Sequence, residues 1–599
     1  MLFTVSAVTM IFRTDFYDPF NSAKLILLLI LDSWLVGHLL NSYRLKPVRF
    51  RTLEFTVTVL LLSFLVCLFM STLMTDNFLV ALIGDTQRRN GFLSYLGLVV
   101  IILFASRSLT FENIDRVYKI GILVGAILST YGIIQISGKD FISWDNPYNS
   151  MISTLGNPNF AASMLAVLML LGISSMMLKA ISKPFKIMSI YLSVSALIAI
   201  IVSGSRQGLL VIFFSAIFYV SLFSLLRNRN IGLLVSSFSS ICGIFAILGM
   251  LQKGPLAPLL YKDSVSVRGY YWRAGIEMFK DSPLVGIGVD RYGSYFKQFR
   301  EASYPLKYGY EITSSNAHNT FIQLFATAGI FVGLLYLTIM FIIFFSGLLL
   351  IKQSDHEKRL IVLGLLSTWL GFQAQSLISI DNVGISIWGW LLGGSILGLK
   401  YSSAPSLAAT YAHTQTSKKT NTVAINLFQP LISMVILIPT IFFSVMFYRA
   451  ENTLFILKNI SNPSFSENKQ PVYEYVNKLI DNPIADPYYK YRSALFLYDM
   501  GFKEESYVIT SNILRKDPKN PVFLTGKVFF EEARGNIAEL ISAREQISTV
   551  DPWNAANYLA LLNLYFTNND LDKAKEAQSK ILKIAPGTEI AKTATRILN

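Results

Sequence analysis

Apolar runs long enough to cross a membrane recur along most of the chain, with polar segments between them at uneven intervals. They begin near Leu25, Phe55, Phe92, Val117, Phe160, Ile187, Gln207 and Ile231, then resume near Phe325, Leu360, Ile385 and Pro430 after a long polar stretch. A hydrocarbon core about 30 Å thick needs about 20 apolar residues per helix, so the pattern predicts an all-α, polytopic membrane protein of about twelve spans. Met1 to Phe12 is a shorter apolar piece with neither a basic leader nor a clear cleavage site, and it does not read as a signal peptide.

After the last run the texture changes. Pro518, Pro552 and Pro586 stand 34 residues apart, behind Asp517, Asp551 and Ala585, and Asp486 with Pro487 opens an earlier, less regular unit. Helix–turn–helix patterns such as YLALLNLYFTNNDLDKAKEAQSKILKIAP fill the intervals. That period and texture are those of tetratricopeptide repeats, which stack into an α-solenoid. The expected organisation is a membrane domain at 1–448 with a large extracytoplasmic loop at 252–318, a linker at 449–485, and repeats at 486–599.

Composition narrows the class. Of 599 residues 53% are hydrophobic and only 15% charged, with mean hydropathy +0.48. Soluble proteins carry about 25% charged residues, so a wholly soluble enzyme is excluded, as are collagen-like, disordered and disulfide-stapled chains. Cys67 and Cys242 each lie in an apolar run and read as packing residues. The net charge of +15 is unevenly placed: from Arg449 onward 19 basic residues face 18 acidic ones, whereas the preceding chain holds 33 against 19. A basic excess between apolar helices marks cytoplasmic loops, and no nucleic-acid patch is needed to explain it.

Those loops carry Arg44 to Arg51, Lys179 to Lys186, Arg227 and Arg229, Lys352 to Arg359, and Lys400, Lys418 and Lys419. The alternate set is then expected outside together with the repeats: Thr75–Gly91, Ser137–Asn159, the turn at Gly204–Arg206, Gln252–His318 and Ser379–Gly384. This parity leaves the start of the chain outside, unless Met1–Phe12 is a partial crossing.

The candidate chemistry gathers on that outer face. Arg206 lies in the short turn SGSRQG among small residues; Arg88 and Arg89 lie in GDTQRRNG; Arg268 and Arg273 lie with Trp272 in VRGYYWRAG. A lone arginine at a helix end is commonly an interface anchor, an arginine pair a solvated one, and an amphipathic segment a helix lying on the membrane. Of four histidines only His318, followed by Asn319, sits at the outer end of a span. A single histidine is often a hydrogen-bonded structural residue, but beside several arginines a neutral imidazole suits a general base. Guanidinium groups clamp phosphate oxygens and stabilise a diphosphate leaving group without a metal. The only Asp-x-Asp is Asp570 with Asp572, in a repeat turn, so no metal or cofactor is expected. Asp381, a lone outer carboxylate, reads as a cap or a solvated loop residue.

Four segments, in order, resemble the O-antigen ligase and polymerase superfamily of bacterial membrane glycan transferases. STLGNPNFAA, with Asn157 and Asn159, is similar to its Gly-Asn-x-Asn helix entry, and SGSRQG to its arginine turn. RGYYWRAGIEMFKDSPLVGIGVDRY resembles the segment leading through its large periplasmic loop. AHNTFIQLFATAGIFVG resembles its His-Asn, nine residues, then Gly pattern, ending here at Gly329. The resemblance implies a multi-pass protein of the bacterial cytoplasmic membrane. It implies transfer of a glycan from an undecaprenyl-diphosphate donor to an acceptor hydroxyl on the outer face. His318 would activate the acceptor; Arg206 and Arg268, with Arg88 or Arg89, would hold the diphosphate; Asn157, Asn159 and Asn319 would support them. The acceptor is open: a lipid, a glycan or a protein, with a protein partner at the repeats one option. A polysaccharide polymerase, a transporter of lipid-linked glycans and a membrane scaffold are the alternatives.

Overall fold

The computed structural model describes residues 1–144, 150–250, 253–260, 263–403, 427–460 and 470–598. Every regular element among them is helical. The first half holds α1 (Leu2–Met10), α2 (Asn21–Leu45), α3 (Leu53–Leu73), α4 (Phe78–Ile83), α5 (Phe92–Ser108), α6 (Asp115–Ile136), α7 (Pro158–Ser175), α8 (Lys183–Val202), α9 (Arg206–Arg227) and α10 (Arg229–Met250). Then come α11 (Ala257–Leu260), α12 (Asp263–Asp281), α13 (Tyr292–Phe299), α14 (Ser303–Tyr308), α15 (Thr320–Gln353), α16 (His356–Ser376), α17 (Val383–Ser402) and α18 (Phe428–Ile460). The chain ends in α19 (Gln470–Ile480), α20 (Pro487–Asp499), α21 (Lys503–Lys516), α22 (Pro521–Arg534), α23 (Ile537–Val550), α24 (Ala555–Thr567), α25 (Leu571–Ile584) and α26 (Glu589–Leu598).

Ten helices among the described residues are long and apolar enough to cross a membrane. The other two expected spans correspond to α5, apolar but only 17 residues long, and α16, whose first turn is charged. Small residues let the bundle close. A Cβ on Gly394 or Gly398 would stand 2.8 Å from the Ile102 carbonyl or 2.6 Å from that of Leu109, so α17 and α5 meet backbone to backbone. The last basic loop residues, Lys418 and Lys419, and His413 lie outside the described residues.

α1 is nine residues, about 14 Å long, less than half a hydrocarbon core. It lies buried against α2, α6 and α17, with Val5 and Val8 fully enclosed. Its C-terminal end is tied down where the Lys24 ammonium donates to the carbonyls of Ile11 (2.5 Å) and Thr154 (2.7 Å).

α18 runs unbroken from Phe428 to Ile460, so the expected boundary at 448 falls inside a helix. At about 50 Å it carries the chain from the bundle into the C-terminal array. There α20, α22, α24 and α26 begin at 487, 521, 555 and 589, and α21, α23 and α25 at 503, 537 and 571. Asp486, Asn520 and Asn554 each cap the first helix of a hairpin, accepting a backbone N–H from the first turn.

α15 is broken. Gly329 has φ +84°, and the Leu284 carbonyl stands 2.2 Å from where its Cβ would be, so no other residue fits. The helix carbonyls freed by the break are taken by the inserted loop: Ile287 N–H donates to Ala326 and Gly288 N–H to Thr327, both at 3.1 Å, while Ile330 N–H donates back to Pro283. A Cβ on Gly286, at φ +70°, would stand 2.3 Å from the same backbone. A discontinuous helix whose freed groups are met by protein is tolerated at membrane depth. This plug fixes the start of the segment that leads to His318.

Candidate functional site

The five loops expected on one face do meet at one end of the bundle. Asn90 donates to the Asp381 carbonyl, Ser205 Oγ donates to Asn159 Oδ1 (2.8 Å), Asn319 Nδ2 donates to Leu377 O (3.0 Å), and Ser71 Oγ donates to Val285 O (2.6 Å). His318 sits at their centre, half-buried, just ahead of α15. Its φ is +50°, a left-handed conformation strained for a residue other than glycine. The turn is held by Asn316 Oδ1, which accepts from His318 N–H (2.9 Å), and by Asn319, whose Oδ1 accepts from Ile322 N–H (3.0 Å) as the cap of α15.

The imidazole stacks on Tyr271 of α12, with ring centroids 5.4 Å apart and planes 23° apart. Tyr271 is fixed in turn because Tyr292 Oη donates to its carbonyl at 2.6 Å. Arg268 lies one turn earlier on the same face of α12. Burial, with the positive charges of Arg268 and Arg88, drives the His318 imidazolium down to about 3, so the ring is neutral near neutral pH. Burial also lowers Arg268, offset in part by Tyr271, yet a guanidinium keeps its charge near neutral pH.

Arg88 and Arg89 part company. Arg88 lies over the Phe160 ring, 5.4 Å from its centroid, at the start of α7 beside Asn159. Arg89, with φ +57°, turns the other way and is fully buried. Its guanidinium pairs with Glu451 (3.0 Å) and Asp486 (3.3 Å) and donates to Tyr489 Oη (2.7 Å), Ser22 Oγ and the Gly84 carbonyl (both 3.1 Å). The expectation that Arg89 holds a diphosphate is therefore corrected: every donor it has is committed inside the protein. Arg273 is likewise occupied, in an exposed pair with Glu301. The α12 segment packs on α15 and α13 instead of lying alone on a membrane surface.

Arg206 opens α9 with an exposed side chain. Its turn is clasped to the start of α7 through Ser205 and Asn159 and through Gly208, whose Cβ would meet the Ala162 carbonyl at 2.8 Å. Asn157 caps α7 and accepts the Asn159 N–H (2.9 Å). Arg88 over Phe160 thus links the Arg206 turn to the His318 environment through α7. The charges that act on the imidazole are those of Arg268 and Arg88.

Three buried residues of these loops have surroundings that their sequence context does not reveal. Gln207, 4% exposed, has neither amide atom hydrogen-bonded, although it directly follows Arg206. Asp381 is buried, not solvated: Tyr95 (2.8 Å), Ser386 (3.1 Å) and Thr320 (3.4 Å) donate to it, and burial raises its pKa. Asp290 accepts from the N–H groups of Asp85 (2.8 Å) and Asn90 (3.1 Å); burial and Asp85 push it up to about 7. Both carboxylates line a cavity of about 20 Å³ with Asn316 and Thr320, room for one water behind the His318 turn. The signal for Asp290 was its place in GVDRY, but no spacing rule connects it to Asp381.

Residues 191–337 match the family described as O-antigen ligase. The matched stretch runs from α8 through the Arg206 turn, α12 and His318 to just past the break at Gly329. The exopolysaccharide production protein ExoQ of Rhizobium meliloti is 31% identical to this chain over 134 residues, 21% of this chain and 30% of that protein. The chain therefore spans less than a third of that relative in the match. The first loops with Arg88, and the C-terminal array, lie outside the family match.

Proposed function

We propose that the protein is a glycosyltransferase of the bacterial cytoplasmic membrane, with the loop-bearing end and the C-terminal array outside the cytoplasm. It moves a glycan from a polyprenyl-diphosphate donor to an acceptor hydroxyl. The observation that carries this reading is the neutral imidazole of His318, stacked on Tyr271 in the field of Arg268 and Arg88. The O-antigen ligase match over the same segment supports it.

In this reading Arg268 and Arg88 receive the diphosphate, with the Arg206 turn and the unsatisfied Gln207 beside them, and Arg89 takes no part. The diphosphate brings negative charge to the place where the arginines now oppose protonation. Donor binding thus raises the basicity of His318 when it is needed. The acceptor hydroxyl gives its proton to the imidazole as its oxygen attacks the anomeric carbon. The bond from that carbon to the diphosphate oxygen breaks, and its electron pair leaves on an oxygen that the guanidinium groups stabilise. Asn157, Asn159 and Asn319 hold the helix starts in place, and the reaction needs no metal.

Purified protein incubated with a lipid-linked oligosaccharide, acceptor alcohols and a chelator is expected to transfer the glycan. His318→Ala should lower the rate by about 10²–10⁴-fold at an unchanged unfolding temperature. Undiminished transfer by that variant removes His318 from the mechanism. A second reading, polymerisation, is favoured by the name of the Rhizobium relative, an exopolysaccharide production protein. There the acceptor is the growing chain, and a ladder of products replaces a single addition. The 34-residue hairpin spacing supports a tetratricopeptide reading of the array.

A further inference from the structure

Three aspartates at hairpin starts and junctions of the C-terminal array are each engaged by an arginine from the outer loops. Asp486 pairs with Arg89 (3.3 Å), Asp517 with Arg291 through both oxygens (2.8 and 2.9 Å), and Asp551 with Arg300 (2.7 Å). Asp517, Asp551 and their arginines are all at most 2% exposed. Arg291 and Arg300 flank α13, so they stand about 14 Å apart along that helix. The array is thereby held in one register over the His318 loop.

Between them lies a cavity of about 480 Å³, within the size range of small-molecule sites. One wall carries His318, Tyr271 and Ser294; the other carries Tyr488, Asn520 and Val522 of the first hairpins. Its chemistry is amide, hydroxyl, carboxylate and aromatic. Its permanent cation, Arg291, is paired with Asp517 through Nη2, its Nε and Nη1 are buried away from solvent, Asp85 and Asp486 add carboxylates to the lining, and His318 is neutral. Such a lining offers hydrogen bonds to vicinal hydroxyls and ring faces for C–H surfaces, and it has little to offer an anion.

We propose that this cavity is the acceptor subsite, that it takes an uncharged glycan segment, and that the C-terminal array supplies its distal wall. The inference rests on the transferase reading above for the word acceptor. The array then selects which hydroxyl reaches His318, while the arginines handle the donor.

The test uses the full-length protein in nanodiscs and reads binding without donor. The probes are a mixture of uncharged tri- to pentasaccharides, a serine-rich peptide of similar mass and a uronate oligosaccharide, followed by saturation-transfer NMR. Val522→Trp and Ser294→Trp fill the cavity from opposite walls; Val508→Trp, on α21 away from the cavity, is the control. Val522 and Val508 are 45% and 53% exposed, so neither change disturbs a core. Uncharged saccharides are expected to bind the unaltered protein, and to lose at least about tenfold in affinity in both filled variants but not in the control. Absence of saccharide binding, binding indifferent to Val522→Trp and Ser294→Trp, or preference for the peptide or the uronate overturns the proposal. Saccharide binding that obeys these variants in a protein that transfers nothing would instead defeat the transferase reading alone.

Discussion

The loop-bearing end of the bundle carries two sets of arginines with opposite surroundings. Arg89, Arg291 and Arg300 are buried at 0–2% exposure and each meets a carboxylate from the C-terminal half. Arg268 has no carboxylate partner among the described residues and faces a neutral imidazole. The first set closes a seam, where a buried charge persists because it is paired and hydrogen-bonded. The second leaves positive potential beside a base, which is what a diphosphate requires. Same side chain, same end of the protein, two jobs: the partner decides.

The comparison can be broken from either side. Arg89→Met should have the largest effect, because it strands Glu451 among Ser22, Asp18 and Tyr489 without its counter-charge. Loss of one member of a buried pair costs about 3–5 kcal/mol, so thermal unfolding should fall sharply and proteolysis should release the C-terminal array. An Arg89→Met protein as stable as the parent would place Arg89 outside the seam's energetics.

Arg268→Gln should leave unfolding nearly unchanged and lower the transfer rate by about 10²–10³-fold, the scale for removing one stabiliser of developing negative charge. It should also move a pH limb. Arg268 holds the His318 imidazolium down, so removing that positive charge lets the ring protonate at higher pH. The acid limb of kcat/KM, which reports the free enzyme, should shift upward from about 3 toward the ordinary histidine value. A downward or absent shift would separate Arg268 from His318. Arg273→Ala should do least: its pair with Glu301 is half-exposed on both sides, and such pairs are worth about 0–1 kcal/mol.

How much of this was legible beforehand differs by feature. The twelve apolar runs and the 34-residue rhythm could be read because both are periodic along the chain itself. His318 stood out because only one of four histidines lies at the outer end of a run. Arg88 and Arg89 could not be told apart: two adjacent arginines have the same local context, and the left-handed backbone at Arg89 sends them to opposite environments. Asp381 reads as a cap or a solvated loop residue because hydropathy cannot register Tyr95, 286 positions away, as its partner. The aspartates before the repeat prolines mark the period in the sequence without revealing their arginine partners, for the same reason.

By itself the sequence determined which segments are long and apolar, where the 34-residue rhythm runs, and that imidazole and guanidinium groups sit at loop-bearing ends. Those properties depend on neighbours within a few turns, where hydrophobic transfer and backbone hydrogen bonding act. The tertiary structure alone decided which charges are neutralised and which remain available, because a buried ion is governed by partners brought close only when distant segments pack. The break at Gly329 joins the two levels: one residue without a side chain permits it, and the backbone of a loop some forty positions earlier fills it.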